Sequence, residues 1–410
     1  MKRMLSALLM LMMLLVPAAL AEDNQYDKVG FYGEYDMCPV KRDGQWGFVD
    51  HTGTLIIPCE WDEVGTVRDG RVSVQKDGKW GAIDRTGRLV VPCEWQYLVA
   101  EDDGGYTMVS FNGYRGALAA DGSVLISCDR YTYVGPVING ARSICRDDMW
   151  GLCTETGEII TSCQWRETGY FQEDLAWVKD EKRLYGYMNR VGEMVIPCQY
   201  RHAEDFRDGS AVVQLSTGYY NLIDADGRLL CTPAWTDMET FTDNDLLMVR
   251  RGDKCGYVNR RGEVVIPLAY DKARSFHDGL ALVKQGEEVF WIDETGARVV
   301  DRPAGCEAWP FYGDYVLLRN EDGLYGVMHR SGELVIPCRW YDTLGYSFYG
   351  EEITNMRTET HHAFFNKQGE LVTGLLHEHD KCTYAIHGEY LFLVEDGALS
   401  IWHADGTQVY

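Results

Sequence analysis

One glycine returns through the whole chain, at Gly53, Gly87, Gly122, Gly157, Gly192, Gly227, Gly262, Gly296, Gly332, Gly369 and Gly406. The first eight stand 34 or 35 residues apart, and the last three intervals lengthen to 36, 37 and 37. A fixed period of this length commits a chain to a repeat architecture, because each unit is too small to bury its own apolar face and must stack on a neighbour. Length alone, at 410 residues, suggests two or three domains. The period overrides that reading.

Each unit reads as three short strands. Alternation and β-branching in Arg71-Val-Ser-Val-Gln75 and in Leu280-Ala-Leu-Val283 predict the first. A two-residue turn such as Asp77-Gly78 follows, a strong hairpin signal because both central residues take positive φ. The second strand carries a Trp-Gly pair, as in Trp46-Gly47-Phe48-Val49 and Trp80-Gly81-Ala82-Ile83. A short turn ending in the repeat glycine leads to a third strand such as Glu263-Val-Val-Ile-Pro267. Pro58, Pro92, Pro197, Pro267 and Pro337 share one slot there, which must end the strand or lie where no ladder donor is needed. A glycine inside a strand weakens it unless it makes room. The Gly of the pair is therefore expected to be a notch that a bulky residue of an adjacent strand or unit fills.

The run Cys255-Gly-Tyr-Val-Asn-Arg-Arg-Gly-Glu-Val-Val-Ile-Pro267, continued through Tyr270-Asp271, Phe276 and Asp278-Gly-Leu-Ala-Leu-Val-Lys284, resembles the WG-repeat (KWG-repeat) family. The resemblance covers nearly all of residues 22–410. The Trp slot departs from the pattern at Arg115, Cys255, Val289, His362 and Leu399, and the C-terminal units are irregular. It implies a repeat scaffold of a kind widespread in bacteria, mostly without assigned activity, and it carries over no catalytic residue.

Tyr26-Asp27-Lys28 matches Tyr270-Asp271-Lys272, and the chain ends within the third strand of a unit. The expected fold is therefore all-β, a tandem array of about eleven three-stranded antiparallel units in an open superhelical stack. A β-propeller-like ring, or two rings, is the alternative. Propellers typically hold four to eight blades of four strands, which eleven such units fit poorly.

The first residues read as a signal peptide over 1–21. Lys2 and Arg3 supply the basic start, Met4 to Val16 the apolar run, and Ala19-Leu20-Ala21 the cleavage site before Glu22. The absence of a Cys at the cleavage point argues against lipid attachment. Its removal takes the formal charge from −24 to −26. So acidic a chain is repelled by phosphate backbones, which argues against nucleic-acid partners. The expected location is extracytoplasmic, in the bacterial cell envelope or outside it, without stable membrane insertion after cleavage.

Residues that look like chemistry read better as structure. Cys59, Cys93, Cys128, Cys163, Cys198 and Cys338 share a slot six residues after the repeat glycine, which suggests packing. Export leaves an inter-unit disulfide ladder as the alternative, although thirteen cysteines cannot all pair within one chain. Cys145 is expected to face Trp150 across a hairpin. His361, His362, His377, His379, His387 and His403 cluster late, with Cys382 nearby, and read as an exposed polar loop more readily than a metal site. Asp224-Ala-Asp226-Gly227 hints at calcium, but its equivalents elsewhere in the chain keep the turn and not the carboxylates. No nucleophile elbow, phosphate loop or His-Glu-x-x-His occurs. No catalytic, cofactor or metal residue is assigned, and the ligand-binding residues are unknown at this level.

The reading is a secreted, non-enzymatic scaffold that binds a protein or envelope polymer over an extended β surface. A carbohydrate-binding or carbohydrate-active protein using Trp and Tyr platforms is the rival. In an open array, removing the units after about Gly332 should leave a folded protein.

Overall fold

A computed structural model describes residues 26–30, 36–68, 70–100, 106–111, 113–232, 234–239, 245–343, 348 and 351–410. The segment 1–21 expected to be a signal peptide, with its expected cleavage site, lies outside these. The described residues form eleven antiparallel sheets in chain order, nine of four strands and two of three. No helix among them is long and apolar enough to cross a membrane.

The unit is larger than the sequence suggested. Ahead of the three expected strands most sheets carry a lead strand, in several cases of only two residues, as in Lys28–Val29, Glu167–Thr168 and Lys272–Ala273. The eighth sheet is typical, with Lys272–Ala273, Ala281–Gln285, Glu288–Ile292 and Arg298–Asp301. So short a pairing leaves no periodic signature, and the sequence there looks like connection. The match of Tyr26-Asp27-Lys28 to Tyr270-Asp271-Lys272 does hold in space, since Lys28 and Lys272 both open lead strands.

The expected hairpin turn forms, with Asp77 at φ 53° and Gly78 at φ 72°. Across its equivalent, Cys145 faces Trp150. The Trp-Gly pair has a more specific cause than a notch for a side chain. In the first sheet Trp46 pairs with Trp61 and Phe48 with Ile57, so Gly47 alone opposes Pro58, Cys59 and Glu60. The closing strand bulges over the glycine. At Gly81 an added β-carbon would meet the Val91 carbonyl oxygen at 2.5 Å, the Cys93 Sγ at 2.7 Å and the Cys93 nitrogen at 2.8 Å. Gly47, Gly186, Gly256 and Gly326 meet the same obstruction. The filler is backbone of the same sheet, not a bulky side chain. Proline opens the bulge, where no ladder donor is needed.

Adjacent sheets share apolar cores, and these run without a break along the chain. Trp46, Phe48 and Ile57 of the first sheet pack with Val72, Val74 and Ile83 of the second. Tyr187 and Ile196 of the fifth pack with Ala211, Val213 and Ile223 of the sixth. Leu317, Val327 and Ile336 of the ninth meet Met356, Ala363 and Phe365 of the tenth. Burial of this kind, at about 25 cal/mol per Å² of apolar area, is what holds one sheet to the next. Arginines brace the joints from outside. Arg190 contacts Asp174 Oδ1 at 2.6 Å and donates to the Asn139 carbonyl of the preceding unit at 2.8 Å. Arg330 donates likewise to the carbonyls of Asp278 and Gly313, each at 3.0 Å.

The ends of the array meet. Val29, Val40 and Val49 of the first sheet form one core with Phe392, Val394 and Ile401 of the last. The Tyr26 amide donates to the Gly397 carbonyl at 2.8 Å, and the Val29 amide to Thr383 Oγ1 at 3.1 Å. The Tyr410 ring lies against Gly53. Among the described residues there are thus eleven cores for eleven sheets, where an open stack would have ten. The expectation of an open superhelical stack is corrected on this point. Nothing in the units' own sequence encodes the contact, because the apolar faces that meet belong to opposite ends of the chain.

Candidate ligand-binding clefts

Two clefts open at joints between sheets, and both are built on the same repeat positions. One, of about 770 Å³, lies between the fifth and sixth sheets. The other, of about 460 Å³, lies between the eighth and ninth. Both sizes suit small-molecule recognition. Each is walled by the second strand of the earlier sheet and by the lead strand of the later one together with the residues that follow it.

The lead strand explains why clefts form here. Its third position is glycine in four of the first five units, at Gly30, Gly65, Gly135 and Gly169, and Val99 in the third. In later units it is Glu204, Glu239, Arg274 and Trp309. At Gly65 and Gly135 the hydroxyls of Ser73 and Ser143 occupy the space a side chain would need. At Gly169 the Trp177 indole lies flat on the backbone. Units six to nine instead project long or charged groups at this point.

In the cleft between the fifth and sixth sheets, half-buried Trp177 stands 5.5 Å from Tyr185, centroid to centroid, and Tyr185 5.6 Å from His202. The Trp177 indole donates to the Asp205 carboxylate. Crowding by the surrounding protein, and then the neighbouring charge of Glu204, pushes the Asp205 carboxyl above the usual carboxylate range. His202 Nε2 is 3.4 Å from Glu204 Oε1. Arg260 also lines this cleft, its Nε buried without a hydrogen-bond partner. Desolvation, and then Arg207, lower its pKa. Arg260 occupies the turn slot of the bracing arginines Arg190 and Arg330.

The cleft between the eighth and ninth sheets is floored by Leu280, Leu282 and buried Trp291 and rimmed by Arg274, Arg302 and Trp309. Trp309 packs against Tyr325 at 5.8 Å. Arg302 follows the closing strand of the eighth sheet, outside the bracing slot, and its Nε is buried without a partner. Glu307 lies 3.8 Å from Arg319, and the Ser275 amide and hydroxyl each donate to Glu239 at 3.2 Å.

The cysteine slot is structural and half-buried. All thirteen cysteines are free thiols. Slot sulfurs point at second-strand carbonyls, Cys59 to Val40 at 3.9 Å and Cys163 to Ile144 at 3.8 Å. Burial pushes the Cys198 and Cys338 thiols up to about 11.

The histidines are not an exposed loop. His362 and His377 pair across the tenth sheet and are buried, at 8% and 5% exposure. His377 Nε2 lies 2.8 Å from Thr373 Oγ1 and Nδ1 3.1 Å from Glu395, while His379 packs on His362 at 4.2 Å. His377 and His379 therefore have separate partners. Among the described residues no three His, Cys, Asp or Glu side chains are grouped to hold a metal. Asp224 Oδ1 accepts the amides of Asp226 at 3.0 Å and Arg228 at 2.8 Å, closing its own turn as Asp84 and Asp293 close theirs.

A family model described as WG containing repeat matches residues 46–80, 80–114, 150–183, 185–219 and 256–288. These five segments are WG repeats. A matched WG segment such as 46–80 runs from the third strand of one sheet to the third strand of the next. The sequence repeat thus straddles a joint, which is where the clefts lie. No curated protein matches the chain. Among solved structures, a eukaryotic initiation factor is similar at 11% identity and a TM-score of 0.43, covering 83% of this chain and 95% of that one. BamB from Moraxella catarrhalis is similar at 13% identity and 0.33, covering 66% and 96%. The WD40 beta propeller domain of Doa1 is similar at 13% and 0.24, covering 55% and 90%. Nothing about the activity of this chain follows from likeness at that level.

Proposed function

We propose that this chain is an exported, non-catalytic scaffold that holds an extended partner, an envelope polymer or a protein segment, at several joints around the array. The supporting observation is the equivalence of the two clefts. Glu204 and Trp309 occupy the same position of the lead strand, and Trp177 and Leu282 the same position of the second strand. Two sites on one rigid frame gain by avidity, since engaging the first raises the local concentration for the second. A frame closed through Val29 and Phe392 fixes their separation.

Half-exposed Trp177 and Trp309, one in each cleft beside charged groups, favour a carbohydrate polymer as the partner. A flat indole stacks on the C–H face of a sugar ring, while nearby carboxylates and guanidiniums take its hydroxyls.

The test is capture of a partner from native envelope extract by the mature chain. Trp177→Ala and Trp309→Ala should each weaken capture, and the double variant should weaken it by more than either. Capture unchanged in the double variant would overturn the cleft reading. Turnover of an envelope polymer by the purified chain would overturn the non-catalytic one.

A further inference from the structure

We propose that the cleft between the eighth and ninth sheets binds an acidic sugar residue of the uronate class, its carboxylate held by Arg274 and Arg302 and its ring stacked on Trp309. This rests on the polymer-scaffold reading above and names the chemistry of one of its sites.

Charge sets the first constraint. The chain carries 63 acidic and 39 basic side chains, so an arginine without a carboxylate partner in a cleft is out of keeping with its surroundings. Neither Arg274 nor Arg302 forms an ion pair among the described residues, and the Arg302 Nε is buried with no acceptor. A buried guanidinium N–H left unpaired costs free energy that an incoming acceptor recovers. The nearby carboxylates are already engaged, Glu307 by Arg319 and Glu239 by Ser275. The guanidiniums are thus the groups left to meet a ligand, and the fork of an arginine matches a carboxylate in two parallel hydrogen bonds.

Shape sets the second. The cleft is not a bare anion hole, for Leu280, Leu282, Trp291 and Pro310 give it an apolar lining and Trp309 a half-buried aromatic wall. A free phosphate or an acetate would leave that surface unused. A hexuronate brings a carboxylate and a flat C–H face together. An acidic peptide brings the carboxylate on a flexible stem without the ring.

The experiment titrates the full mature chain with three probes, following Trp fluorescence and heat. The first is a galacturonate oligomer, the second the same oligomer with its carboxyls reduced to alcohols, and the third a glutamate oligomer of equal length. Saturable binding of the first is expected, at least tenfold weaker binding of the second, and weaker binding of the third. Arg302→Gln and Trp309→Ala should each weaken the first by tenfold or more with an unchanged circular dichroism spectrum. Should burial make Arg302→Gln unfold the joint, Arg274→Gln, at an exposed position, is the replacement. No binding of the galacturonate oligomer, equal affinity for its reduced form, or equal affinity for the glutamate oligomer would each overturn the assignment. So would binding that ignores both folded variants. The two proposals fail separately: a partner captured from envelope extract by a chain that ignores galacturonate leaves the scaffold standing and removes only the uronate.

Discussion

The backbone nitrogen of Cys59 lies 2.7 Å from the point that a β-carbon on Gly47 would occupy. The Trp-Gly signature is therefore a statement about the closing strand, which sets three residues against the one glycine. Gly81→Ala should accordingly cost about 1–3 kcal/mol through overpacking against backbone. Gly78→Ala is the comparison. It has open space around it but a φ of 72°, so its cost should be the ~1–2 kcal/mol of a left-handed residue. Denaturant unfolding of both variants measures the two mechanisms side by side. A Gly81→Ala variant as stable as the parent would remove the bulge explanation.

Deleting residues 382–410 should do more than shorten the array. It uncovers Val29, Val40 and Val49 at one end and Phe364 and Val372 at the other. Loss of a sharp thermal transition, with binding of a hydrophobic dye, is the expected result. A deletion that melts as sharply as the whole chain would show that closure contributes little.

The slot cysteines should be slow to react without being sealed. With thiols raised to about 11 against an ordinary value of 9.0, Cys198 and Cys338 hold about a hundredfold less thiolate at pH 8. Labelling followed by peptide mapping should show that lag, and should show it vanish in denaturant. The same shift makes stability fall as pH rises: the neutral thiol favoured by the fold is fully present below 9.0, and its contribution is lost as pH climbs towards 11. Rapid native labelling at these two positions would contradict the packing.

Acid should loosen the last joints before it touches the turns. Burial lowers His387 to about 4, and burial followed by His379, Arg357 and His377 lowers His362 to about 4. Both are neutral in the fold. Their contribution is complete above the ordinary value of 6.5 and is lost as pH falls from there towards 4. The carboxylates of Asp84 and Asp293, lowered first by the hydroxyls of Thr86 and Thr295, are lost only at lower pH. Amide exchange at pH 7 and pH 5 should therefore rise first in residues 353–395. His387→Phe should reduce that rise. Uniform exchange along the chain would sink the idea.

Much of the unit could be read in the sequence because its causes are local. Asp77-Gly78 announces its turn through the φ values it tolerates, and the 34- or 35-residue period announces stacking. The lead strand escaped because two paired residues, such as Lys272–Ala273, have no period to show. The cause of the Trp-Gly pair was half visible: alternation says that glycine makes room, but a bulge of three residues cannot be seen from one strand. The clefts left a trace that went unread, in the passage from Gly169 to Glu204, Arg274 and Trp309 at one repeat position. The contact of Val29 with Phe392 left none, since no local pattern separates an end that is capped from an end that is joined.

That junction also bears on how such a chain can change over generations. An open array tolerates duplication of a unit, because the newcomer repeats a joint that already exists and disturbs no other. Here Tyr26 reaches Gly397 directly. A twelfth unit would have to narrow the turn taken at every joint for the two ends to find each other again. Copy number in this lineage should be held fixed while loops and cleft residues drift, and related chains should differ in side chains at positions such as 204 and 309 before they differ in the number of sheets.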